Sequence, residues 1–178
     1  MPDVPRIISS ETVYRGHLFN VEVDQLAMPN GVVARREILR HPGAVAMVAL
    51  NGEGRVVLVT QYRHAAGARL LELPAGTLER GEDPLAAATR ELQEEVGHRP
   101  GRVEALGGFY VAPGYTTEYI HLFVCTALEP ARLPGDEDED IEVETLTPEE
   151  ALAAIDDGRI CDGKSIIGIL RWSRSKRR

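Results

Sequence analysis

The chain has only two cysteines in 178 residues, Cys125 and Cys161, with no Cys-x-x-Cys and no nearby histidine pair. That scarcity excludes a disulfide framework and a structural zinc site, and it predicts two reduced, packed thiols. Long hydrophobic runs are also missing. The longest, 44–50, falls far short of the roughly 20 residues a bilayer-spanning helix needs. The first residues, MPDVPRIISSE, carry acids where a secretory signal would carry bases. The expectation is a soluble, cytoplasmic protein without a membrane partner. Basic charge is scarce as well: 20 Lys and Arg stand against 28 Asp and Glu, a net charge of −8. A surface that grips a polyanion needs a basic face, so nucleic acid is a poor candidate partner. The one basic stretch, Arg171, Arg174, Lys176, Arg177 and Arg178, reads as a solvated terminus.

What is present is ordinary globular composition, 43% hydrophobic and 27% charged. It suits one domain, or one domain plus an accessory sheet. The division expected is an N-terminal β-sheet over 1–42, followed by the main domain over 43–178. Residues 6–40 alternate polar and apolar positions around Met28-Pro29-Asn30-Gly31, whose Asn-Gly is a hairpin signal. The runs 44–50 and 55–62 are rich in β-branched residues and read as a buried strand pair. Further strands are expected at about 70–73, 102–111, 118–128 and 141–146. Helices are expected at 84–96, 148–157 and 165–173. Asp83 stands at the N-cap position of the first helix, Pro84 at its first turn and Gly97 just past its end. Leu85, Ala88, Leu92 and Val96 are its expected buried stripe. This order implies an α/β fold with a mixed sheet and helices on its faces.

On the 84–96 helix, Glu91 and Glu95 are four residues apart and so share a face, with Glu94 beside them. Carboxylates that close repel one another, which calls for a cation. Arg90 can pair with Glu94 at i, i+4. Glu91 and Glu95 would then hold a hard divalent ion through oxygen, as Mg²⁺ and Mn²⁺ prefer. Three glutamates alone would more often be a solvated acidic face; the surrounding spacing changes that. Gly76, Glu82, Arg90-Glu91-Leu92, Glu94-Glu95 and Gly97 resemble the Nudix hydrolase signature at every fixed position, and only His98 departs from its usual apolar last place.

The resemblance implies an α/β/α sandwich that hydrolyses a nucleoside diphosphate linked to another group. It implies that Glu91, Glu94 and Glu95 bind metal, that Arg90 and Glu82 orient their helix, and that the Ala75 carbonyl completes the coordination. Outside the signature, Ala112-Pro113-Gly114, Gln61-Tyr62-Arg63 and Leu71-Glu72-Leu73-Pro74-Ala75-Gly76 are similar to the ADP-ribose pyrophosphatase subfamily. That likeness implies substrate contacts at Arg63, Glu72, Pro113 and Gly114, and a homodimer in which Arg36 reaches the neighbouring subunit's substrate. Phe19 is either an adenine-stacking ring or a core aromatic. The acidic run 136–144 lies where the subfamily supplies a water-activating glutamate, here Glu137 or Glu139. The expected reaction is Mg²⁺-dependent cleavage of ADP-ribose to AMP and ribose 5-phosphate. Alternatives are another nucleotide sugar such as GDP-mannose, a dinucleotide, or a sensor domain that binds without hydrolysis. Gly158 to Ser165 also fits the P-loop pattern GxxxxGKS, but a helix is expected before it where a P-loop needs a strand.

Overall fold

The computed structural model describes residues 4–135 and 140–176, so Glu137 and Glu139 lie outside the described residues. The chain forms two compact units, Met1–Gly43 with Tyr110–Tyr119, and Ala44–Phe109 with Ile120–Arg178.

In the first unit, β1 (Arg6–Arg15), β2 (Asn20–Ala27) and β3 (Val33–Arg40) make an antiparallel sheet in that order. The Asn-Gly hairpin forms between β2 and β3. The Gly31 N–H donates to the Met28 carbonyl at 2.9 Å, and Gly31 has φ of 83°, a conformation its missing Cβ makes accessible. The segment 110–119 joins this unit through backbone bonds to β3. Leu39 N–H donates to Tyr115 O at 2.8 Å, and Thr117 N–H donates to Leu39 O at 3.0 Å. Between these strands of contact, the Ala112 carbonyl closes the Pro113-Gly114 turn by accepting from Tyr115 and Thr116.

The second unit is built on a seven-stranded sheet. Its path runs through β10 (Glu142–Leu146), β5 (Val56–Arg63), β4 (Ala44–Leu50), β9 (Tyr119–Pro130) and β8 (His98–Tyr110). Two shorter strands branch from it: β6 (Ala68–Glu72) pairs with β5, and β7 (Ala75–Thr77) pairs with β4. The 44–50 and 55–62 runs are both strands, the first wholly buried and the second buried over Val56–Val59 but with Tyr62 exposed, and they pair with each other only at Ala49–Val57 and Leu50–Val56. The rest of β4 pairs with β7 on one side and lies parallel to β9 on the other. Every residue of β4 is buried, as an apolar strand covered on both faces must be.

One face of this sheet packs α1 (Pro84–Glu91) and the turn that continues it, with Met47, Val59, Ala87, Ala88, Leu92 and Phe123 interlocked. The other packs α2 (Pro148–Asp156) and α3 (Gly163–Ser175), with Leu58, Leu73, Ala154, Ile160, Ile169 and Trp172. The result is an α/β/α sandwich. No helix among the described residues is long and apolar enough to cross a membrane.

Three expectations need correction. The 84–96 helix is α-helical only to Glu91, and Leu92–Val96 forms a wider π turn, ended by Gly97 with φ of 75°. Leu85 is not part of the buried stripe. It is 50% exposed, and Ala87 takes its place beside Ala88, Leu92 and Val96. Of the two unpaired thiols only Cys125 is packed, where burial pushes it up to about 12, while Cys161 lies exposed in the link between α2 and α3.

Candidate functional site

The site grows from β6 and β7. Glu72 ends β6, and three residues later β7 begins with Ala75 and Gly76, paired to Ala46 and Val45 of β4. Glu91 and Glu95, from the end of α1 and the π turn, both come down on this short strand. The Glu91 carboxyl lies against Gly76 so closely that a Cβ there would overlap it. Glu95 Oε2 accepts from the Ala75 N–H at 3.0 Å. Both acids are buried, Glu91 9% and Glu95 5% exposed. The expected shared face is therefore present, although the π turn departs from regular α-helix; such turns recur at functional sites because they re-aim side chains without ending the helix.

Arg90 organises the acids, and it does more than pair with Glu94. Its Nε and Nη2 grip both oxygens of Glu82 at 2.9 and 3.0 Å, while Nη1 reaches Glu94 and Glu91, each at 2.8 Å. Expecting Glu94 alone was too narrow, since the forked guanidinium can serve several carboxylates at once. The Glu82 hydrogen bond and the charges of Glu91 and Glu94 raise the Arg90 pKa. In return the Arg90 hydrogen bonds hold the Glu82 carboxyl below its usual range.

Beside this group, the side chain of Arg63 at the end of β5 reaches Glu72 at the end of β6, although its register partner on that strand is Ala68. Arg63 Nη2 bonds Glu72 Oε2 at 2.7 Å, and Nε reaches both Glu72 oxygens at 3.1 and 3.2 Å. Burial would lower the Arg63 pKa, but the Glu72 bond and the charges of Glu72, Glu95 and Asp162 raise it. The pull from Glu95 places Arg63 in the electrostatic reach of the α1 acids. Glu72 is 1% exposed. Burial would raise its carboxyl, but bonds and charges from Arg63 and Lys164 bring it below the usual range.

Lys164 is a member of this group that the sequence did not identify. It belongs to the GxxxxGKS stretch, which here joins α2 to α3 and is not preceded by a strand. The only signal for it was that discarded motif.

Structure thus gathers Arg63, Glu72, Ala75, Arg90, Glu91, Glu94 and Glu95 in the second unit. Phe19, Arg36, Pro113 and Gly114 belong to the first. There Phe19 is half-buried with its ring 6.2 Å from that of Tyr14. Arg36 is exposed on β3, opposite Asp24 of β2.

The acids suit a hard divalent ion in kind, since all three offer carboxylate oxygen and the Gly76 cradle leaves room for a carboxyl against the backbone. Among the described residues no three acidic, histidine or cysteine side chains converge on a single point. Arg90 is the counter-charge of Glu91 and Glu94 in this arrangement.

Comparison with known proteins agrees with the motif. Residues 40–166 match the NUDIX domain family. The chain is 41% identical over 166 residues to a methanol dehydrogenase activator of Bacillus methanolicus, covering 92% of this chain and 90% of that one. It is 36% identical over 167 residues to an ADP-ribose pyrophosphatase of Bacillus subtilis, with the same coverage. Relatives named GDP-mannose pyrophosphatase match over less of the chain, one from Citrobacter koseri over 84%. A crystal structure of an ADP compounds hydrolase superposes with a TM-score of 0.86 at 26% identity, covering 97% of this chain and 94% of that one. With Glu91 and Glu95 packed against β7 and the family match spanning most of the sequence, the chain belongs to the Nudix family and is a Nudix hydrolase.

Proposed function

We propose that the protein hydrolyses the diphosphate of ADP-ribose to AMP and ribose 5-phosphate with Mg²⁺, Mn²⁺ being an alternative ion. The observation that carries this reading is the pair Arg63–Glu72 set beside Glu91 and Glu95 on β7, which puts a cation for the diphosphate next to the acids for a metal. The names of two relatives support the substrate class. Glu91, Glu94 and Glu95, with the Ala75 carbonyl, would hold the metal. Bound there, divalent ions neutralise the diphosphate, polarise phosphorus and acidify a water. Arg90 orients the acids, and Glu82 fixes Arg90. Arg63 binds the diphosphate or ribose, and Glu72 fixes the plane of its guanidinium. Pro113, Gly114 and Phe19 line the substrate, with Arg36 reaching the substrate of a second copy. A loop acid, Glu137 or Glu139, accepts the proton of the attacking water.

A hydrolysis screen of nucleoside diphosphate compounds with Mg²⁺, products identified by mass, tests this. ADP-ribose should exceed ATP and dGTP in kcat/KM by at least about tenfold, or roughly 1.4 kcal/mol of transition-state stabilisation. EDTA should abolish the activity. A second reading, GDP-mannose as the substrate, has the relatives of that name behind it. It takes over if GDP-mannose outperforms ADP-ribose.

A further inference from the structure

We propose that Lys164 is a positioning residue for diphosphate binding, clamping Glu72 from the α3 side so that Arg63 keeps net positive charge to offer the substrate. This deepens the preceding proposal and rests on its reading of Arg63 as the diphosphate contact.

The case starts from how many groups share one carboxylate. Glu72 is almost wholly buried, and its Oε2 accepts from both Arg63 and Lys164. Lys164 Nζ also bonds Asp162 Oδ1 at 3.0 Å. Asp162 is the N-cap of α3, its Oδ1 accepting from the Ser165 N–H at 3.2 Å, and its Oδ2 is buried without a partner among the described residues. Around Arg63, Glu72 and Asp162 are offset by Lys164 to one net negative charge, to which Glu95 adds its own. Removing Lys164 raises the Glu72–Asp162 contribution to two. It also leaves Glu72 and Asp162 largely out of water, where salt screens poorly. A guanidinium inside a net anionic cluster is a weaker ligand for a diphosphate, because its charge is already spent on its neighbours.

The geometry gives Lys164 this role rather than direct contact with the substrate. Its side chain is only 14% exposed, and its ammonium is engaged by two carboxylates. Arg63 is 39% exposed and turns its Nε–Nη2 edge to Glu72. Arg63 is thus the group presented outward, and Lys164 the one behind it. The helix end that carries Lys164 is itself pinned, since the buried Ser165 hydroxyl accepts from the Leu73 N–H at 2.7 Å, one residue after Glu72.

The test is calorimetric binding of ADP to the full-length protein, read beside KM and kcat for ADP-ribose, in K164M, K164R and S165A. S165A is the control, because it loosens the same helix end while keeping the ammonium. K164M should raise the ADP Kd and the KM by about tenfold, the worth of one charge-assisted contact, while kcat falls by less. K164R should recover most of the affinity, and S165A should lower Tm without moving the ADP Kd. K164M with unchanged Kd, or S165A matching K164M in Kd, reduces Lys164 to a helix anchor and overturns the proposal. Tight ADP binding that depends on Lys164, in an enzyme that does not cleave ADP-ribose, would uphold it while removing the substrate assignment. Wild-type protein that fails to bind ADP at all would remove both.

Discussion

A methyl group added at Gly76 would occupy the space of the Glu91 carboxyl, so G76A must push that carboxyl off β7. Misplacing a reacting group by about 1 Å can cost on the order of a hundredfold in rate. G76A should therefore lower kcat by about that factor, while its melting transition stays cooperative. Wild-type turnover from G76A would show that Glu91 can work from another position. At this scale the sequence was informative about proximity: Arg90 bonds Glu82, Glu91 and Glu94, and Glu95 accepts from the Ala75 N–H. It was silent on Lys164, because nothing in a linear pattern says that a residue 92 positions beyond Glu72 shares its carboxylate. Packing of two helices and two strands makes that meeting, and no local rule encodes it.

The link between Glu82 and Arg90 joins the loop before α1 to its last turn. Because the folded state holds the Glu82 carboxyl below its ordinary value of 4.5, it favours the ionised form. The stability this adds is complete above that value and disappears as pH falls through the lower folded one. E82Q should lower the urea midpoint at pH 6, with the difference from wild type shrinking as pH falls below the ordinary carboxylate range and the Glu82 carboxyl takes up its proton. A difference independent of pH would mean that shape, not charge, ties the loop. A second expectation concerns the acidic run. Its far stem is held by Arg69, which bonds Asp140 at 2.8 Å and Glu142 at 2.9 Å. E137Q and E139Q should divide, one lowering kcat far more than KM and the other mild; two mild variants would make the run a solvated linker. The caps of the first helix were readable in advance because Asp83, Pro84 and Gly97 are local signals, whereas α3 begins at Gly163, two residues before the expected start at 165. The π turn was not readable, since Ala88, Leu92 and Val96 repeat at four-residue steps that fit an unbroken α-helix equally well.

The first unit leaves Ile7, Ile8, Val13, Tyr14 and Val33 of its sheet about half exposed or more. Apolar side chains in such numbers mark a surface that is covered in solution, and a second copy related by a two-fold axis is the simplest cover. Light scattering at micromolar concentration should give about twice 19.5 kDa. The single-chain mass would leave that sheet bare and contradict the expected homodimer. The composition of this unit was only partly foreseeable: alternation marks 6–40, but 110–119 joins it through backbone bonds to Leu39 that no side-chain pattern announces.

The placement of β4 has a consequence for synthesis. Its partners β5 and β7 follow soon after it in the chain, whereas β9, which covers its other edge from Ala44–Ile120 to Ala49–Cys125, comes much later. Until that segment has left the ribosome, a wholly apolar strand presents unpaired N–H and C=O groups to any extended peptide nearby. Products that terminate before Tyr119 should therefore aggregate more readily than the 178-residue chain, which a pelleting assay of the two would read.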